Sequence, residues 1–111
     1  MQWLIPDCYW PAVTTDGEYV SHEAICILNT NLKAVTVALT LYFEDRDPFS
    51  GIERTIPAQR TLHIRMDQLE GDPVPRGVPY AVVVDCDQPI AVQYTRVDTT
   101  QPALAIGTTI V

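Results

Sequence analysis

Reactive side chains are scarce in this sequence. Its 111 residues hold two histidines and three cysteines. Cys8, Cys26 and Cys86 form no Cys-x-x-Cys pair and are odd in number, which argues against a disulfide framework and for a reducing compartment, the cytoplasm. Bases are also few. Seven Lys and Arg stand against fourteen Asp and Glu, a formal charge of -7, and such a field repels phosphate polyanions and anionic lipid. Nucleic acid is therefore not an expected partner. The imbalance is uneven: residues 1–53 carry eight acids and two bases, residues 54–111 six acids and five bases. No apolar run approaches the roughly 20 residues of a membrane-spanning helix, and the first residues lack the basic and apolar blocks of a leader peptide. There is no Gly-x-Ser-x-Gly elbow and no glycine-rich phosphate loop, and a strand would send the neighbours Ser21 and His22 to opposite faces. These gaps argue against an enzyme, and no cofactor is expected.

What is present is material for one packed domain. Apolar residues make up 47% and charged residues 19%, a balance that supports a core. From Ala34 to Glu44 the chain alternates, with Val35, Val37, Leu39, Leu41 and Phe43 on one side and Thr36, Thr40 and Tyr42 on the other, the period of a strand. Arg60 to Met66 does the same, hiding Leu62, Ile64 and Met66 and presenting Thr61, His63 and Arg65. Further strands are expected at Glu23–Asn29, Ile52–Ile56, Tyr80–Asp85, Ile90–Val97 and Leu104–Val111, with a weaker one at Tyr9–Val13. Nine prolines and turn clusters such as Asp45-Arg46-Asp47-Pro48, Asp72 to Pro79 and Asp98 to Pro102 separate them. Only Met66 to Glu70 has room for a helical turn. Without crossover helices a parallel sheet cannot be built, so the expected class is all-β, an antiparallel sandwich of about eight strands, jelly-roll-like. The expected core is Val35, Val37, Leu39, Leu41, Phe43, Leu62, Ile64, Val82, Val84, Val92 and Ile106.

Cys8, His22, Glu23 and Cys26 are zinc-ligand types. In a strand, however, Glu23 points away from His22 and Cys26, so buried thiols acting as small hydrophobes are the expectation and no metal site is assigned. The acids around Asp45 and Asp47 read as a solvated turn. The more informative feature is the polar face of Thr61, His63 and Arg65, to which Gln93 and Thr95 add if the strand from Ile90 alternates alike. It is a candidate binding surface or subunit interface. Glu23, Glu44, Arg46, Arg60, Arg76 and Arg96 are candidates for ion pairs or interface contacts. Arg54, Arg60, Arg65 and Arg76 are placed to meet Glu23, Glu44 or Asp85, since guanidinium suits bidentate pairing with carboxylate.

Several blocks together carry a family resemblance. They are Ser21-His22-Glu23-Ala24 with Cys26 and Leu28-Asn29-Thr30, then Leu41 to Arg46, Arg60 to Arg65, Pro75 to Ala81, Pro89 to Gln93, Thr95 to Thr99, Ala103 to Ala105 and Thr108 to Ile110. In this order the chain resembles the sensory rhodopsin transducer family of small soluble bacterial proteins. Residues 11–20 match the family pattern weakly, and Tyr94 stands where that pattern has histidine. The resemblance implies a jelly-roll-type sandwich, a cyclic homotetramer, a cytoplasmic location and a role as soluble signalling partner of a membrane receptor such as a sensory rhodopsin. Three functions follow in order: an adaptor acting by protein contact, through the polar face and the Asp45–Gly51 loop; a module for a small polar, carbohydrate-like ligand, with Trp3 and Trp10 available for stacking; and a DNA-binding regulator.

Overall fold

The structure, a computed structural model, describes residues 1–12, 21–98 and 105–111. Alternation sets its strands. They are β1 (Gln2–Tyr9), β2 (His22–Asn29), β3 (Val35–Phe43), β4 (Phe49–Ile56), β5 (Arg60–Arg65), β6 (Pro79–Asp85), β7 (Ala91–Asp98) and β8 (Ala105–Ile110). A short 3-10 turn over Met66–Gln68 follows β5, at the place where the sequence leaves room for one.

The strands form two antiparallel four-stranded sheets, sheet A in the order β1-β6-β3-β4 and sheet B in the order β5-β2-β7-β8. This is the β-sandwich expected from the sequence. Sheet A turns Val35, Val37, Leu39, Leu41, Val82 and Val84 inward, and sheet B answers with Ile25, Ile27, Ile64 and Val92, all buried. Each such side chain contributes roughly 1.5–3 kcal/mol on leaving water. Phe43 and Leu62 pack against this core from its margin. At the far end Asn29 is fully buried. Its Nδ2 donates to the carbonyls of Lys33, Ile56 and Pro57 at 3.0–3.1 Å, and its Oδ1 accepts from the Asn31 amide at 2.9 Å. The amide thereby caps the turn into β3.

Two expectations are corrected. The first strand is Gln2–Tyr9 and not Tyr9–Val13. Pro6 and Asp7 sit inside it, at a register shift between Ile5 and Cys8. A bulge on an edge strand is where proline is tolerated, because no ladder hydrogen bond is lost there. Ile106, expected in the core, is 64% exposed. It shares parity with Thr108, which pairs with Thr95, and with Ile110, which pairs with Gln93, so its side chain lies on the outer face of sheet B, away from sheet A. Residues 99–102 of the expected turn Asp98 to Pro102, Leu104, and residues 13–20 of the weakly matching segment 11–20, Val13 included, lie outside the described residues.

Candidate functional site

The outer face of sheet B gathers the polar residues singled out above, but not as neighbours. β2 lies between β5 and β7, so the pairings give three rows: Thr61–Leu28–Ala91, His63–Cys26–Gln93–Ile110 and Arg65–Ala24–Thr95–Thr108. Polar groups thus flank a central stripe of Leu28, Cys26 and Ala24. Thr61 Oγ1 donates to the Ile27 carbonyl at 3.1 Å. Thr95 and Thr108 share a hydrogen bond of 3.2 Å. His63 is exposed, Gln93 is half-buried, and together with Thr61, Cys26 and Ile110 they line a depression of about 210 Å³. Burial raises the Cys26 thiol above its ordinary range, against a lowering hydrogen bond to Thr95. A protonated thiol of this kind is a poor nucleophile.

Arg65 has its partner two residues on, in the 3-10 turn that follows β5. Its Nε and Nη2 donate to the two carboxylate oxygens of Asp67 at 2.8 and 2.7 Å. Burial pushes the Asp67 carboxyl up, yet the bidentate guanidinium outweighs it and holds the group below the usual aspartate range. The clamp fixes the chain where β5 passes into the 3-10 turn.

On the inner side, Glu23 is a finding that residue type alone did not suggest. The candidate for an ion pair or interface is 1% exposed, and among the described residues it enters no ion pair. Its carboxylate accepts from the Tyr80 hydroxyl at 2.6 Å, from the Tyr9 amide at 2.8 Å and from the Tyr94 hydroxyl. Arg96 Nε donates to that same Tyr94 hydroxyl at 3.2 Å. A charge-carrying chain therefore runs guanidinium to phenol to carboxylate. Burial first, and the Glu23 charge with it, pushes the Tyr80, Tyr94 and Cys8 groups well above their ordinary ranges. Burial works against the Arg96 charge, but Tyr94, Asp7 and Glu23 more than offset it. Alternation did carry the signal: Glu23 shares parity with the core residues Ile25 and Ile27, and Tyr94 with Val92.

The remaining candidates have local roles. Arg46 stacks on Phe43 at 4.2 Å and lies 3.9 Å from exposed Asp45. Arg60 donates to the Ala58 and Gln59 carbonyls. Arg76 stacks on Trp10 at 4.1 Å. Glu44 is exposed in the loop after β3. Arg54 meets Glu70 at 3.8 Å, so the arginines expected to reach Glu23, Glu44 or Asp85 find other partners. Trp10 is a core residue whose Nε1 donates to the Ser21 carbonyl at 3.1 Å. Trp3 packs at the core's margin. Among the described residues no group of three or more metal-ligating side chains comes together. No described helix is long and apolar enough to cross a membrane.

The protein is thus a small antiparallel sandwich with a hydrogen-bonded interior and a polar outer sheet face. Comparison with known proteins gives the particular case. Over residues 1–111 the chain matches the family described as Anabaena sensory rhodopsin transducer, and it belongs to that family. It is similar to Thermotoga maritima 1070, a crystal structure, at 33% identity and a TM-score of 0.87, over 98% of this chain and 90% of that one. It is also similar to the Anabaena sensory rhodopsin transducer at 36% identity and a TM-score of 0.76, over 91% of this chain and 90% of that one. No curated protein matches.

Proposed function

We propose that this chain is a cytoplasmic, non-enzymatic adaptor that carries a signal by protein contact, and that a membrane receptor of the sensory rhodopsin kind is its partner. The observation that carries this reading is the outer face of sheet B. Thr61, His63, Arg65, Gln93 and Thr95 project from a rigid sheet around an apolar stripe, the mix of polar rim and apolar centre that protein interfaces use. Family membership supports the receptor class. Self-association into a homotetramer, which the resemblance implies, accompanies the reading.

Isothermal calorimetry against a sensory rhodopsin in lipid nanodiscs tests it. Saturable heat with a defined stoichiometry is expected, and the absence of heat across the accessible concentration range contradicts it. A second reading, a small polar ligand held by His63, Gln93 and Thr61, is favoured by the depression between them. At about 210 Å³ it is smaller than the roughly 300–1,000 Å³ of a typical ligand pocket, which is why protein contact ranks first. A thermal-shift screen of sugars separates the two, since a ligand at about a hundredfold excess over Kd adds roughly 2.7 kcal/mol to stability.

A further inference from the structure

A glycine stands in the middle of β8 without a backbone reason for it. Gly107 lies between Ile106 and Thr108 in unbroken register with β7, and its φ is not positive, so neither a turn, a bulge nor left-handed backbone calls for it. An interior strand glycine often marks a place where a ligand or another backbone comes close. The space over this one is open, since a Cβ built on it meets no atom within 4 Å. That Cβ would share the face of Arg96, its partner across the ladder. Arg96 in turn stands opposite buried Glu23, so the face is the one turned between the sheets.

A groove of about 420 Å³ lies there. Gly107 and Thr109 of β8 border it on one side, Ile5 and Pro6 of β1 on the other, and Tyr94 and Arg96 of β7 between them. Its volume falls within the roughly 300–1,000 Å³ of small-molecule sites, which the depression of about 210 Å³ on the outer face does not reach. Apolar walls with a few polar groups are also what such sites have.

Arg96 is the polar group with hydrogen-bonding capacity to spare. Its Nε donates to the Tyr94 hydroxyl at 3.2 Å, and that hydroxyl donates to the Glu23 carboxylate. The rings of Tyr9 and Tyr94 flank the guanidinium, each centroid 5.8 Å away. Nη2 lies 3.8 Å from Oδ1 of Asp7, beyond hydrogen-bond length, and among the described residues neither terminal nitrogen donates a hydrogen bond. A guanidinium held from behind in this way keeps its fork for a carboxylate, which it meets through two parallel bonds. Asp7, whose side chain is 82% exposed, is a carboxylate drawn toward that fork without being seated on it.

We propose that this groove binds a small monocarboxylate, with its charged end on Nη1 and Nη2 of Arg96 and its apolar body along Ile5, Pro6 and the bare backbone of Gly107. One cation in the groove of a chain of net charge -7 suits a single negative charge and disfavours a multiply charged phosphate. Thr109 pairs with Tyr94 and so shares the groove's face, where its hydroxyl adds a donor for the acid. The site lies between the sheets, apart from the contact surface on the outer face of sheet B.

Calorimetry in a low-salt, carboxylate-free buffer tests the proposal, with benzoate and butyrate as probes and benzamide and inorganic phosphate as controls. Both acids are expected to saturate one site per chain in the millimolar range. Benzamide, the same shape without the charge, is expected to bind at least about tenfold more weakly, and phosphate to give no saturable heat. Gly107→Leu fills the groove while leaving Arg96 and its partners in place. It is expected to abolish the benzoate heat and to melt no earlier than the natural chain, because a side chain replaces glycine inside a strand. Arg96→Gln is expected to weaken benzoate by about tenfold or more. Asp7→Asn removes the competing carboxylate and is expected to tighten benzoate about two- to fivefold. No saturable heat with either acid, benzamide or phosphate bound as well as benzoate, undiminished binding by Gly107→Leu, or weaker binding by Asp7→Asn overturns the proposal. The receptor titration is read separately: its failure leaves the acid site standing, and failure of the acid site leaves the adaptor.

Discussion

Glu23 is where the interior concentrates its polar chemistry. Three donors converge on its carboxylate, and removing the acceptor strands two buried phenols and an amide. Glu23→Ala should therefore destabilise by about 3–5 kcal/mol, the cost of breaking a buried charged network, whereas Glu23→Gln keeps shape and one carbonyl acceptor and should cost about 1–2 kcal/mol. Urea denaturation measures both, and equal losses would show that the donors do not depend on the carboxylate. In the apolar core, Leu39→Ala should cost about 2–5 kcal/mol, and exposed His63→Ala less than about 0.5 kcal/mol. Alternation made Leu39 and His63 legible from the sequence. It also placed Glu23 inward, but residue type argued the other way, because a carboxylate is rarely buried without partners. Tyr80 and Tyr94, which resolve that conflict, are more than fifty residues away in sequence, Tyr94 reaching it through the β2–β7 pairing and Tyr80 across the sandwich from sheet A.

At the scale of elements, two linked groups give opposite pH signatures. Asp67, clamped by Arg65 at the end of β5, is held below the ordinary aspartate value of about 3.9, so its contribution is present above that value and lost as pH falls through the lowered folded one. Asp67→Asn should melt earlier than the natural chain at neutral pH, and the gap should close in acid. A gap that persists in acid would mean the side chains hold the turn by packing alone. Tyr80 and Tyr94 have raised values, so their contribution is intact below about pH 10 and fades as pH rises past it. Spectrophotometric titration should find the Tyr80 and Tyr94 phenols silent until the chain unfolds. Strands β2 to β7 were readable because each turns one apolar face to the core. β1 was not, since its bulge at Pro6 and Asp7 breaks the alternation that identifies a strand. Ile106 of β8 read as core because alternation shows that a strand has two faces but not which of them turns inward.

For the whole molecule, charge and shape pull in different directions. Copies that each carry -7 repel one another, so salt that screens this repulsion should strengthen any self-association made through uncharged surface. Weakening of the assembly as salt rises, followed by sedimentation, would instead point to an ionic contact. The outer face of sheet B is the surface proposed for a receptor. The most direct test of that arrangement compares receptor binding by variants of the two outer faces in the same titration. Replacing Thr61, His63 and Gln93 by alanine should weaken binding at least tenfold, about 1.4 kcal/mol, while alanine at Thr36 and Thr40 on the outer face of sheet A should leave it unchanged. Undiminished binding by the first variant, or loss confined to the second, would contradict the account.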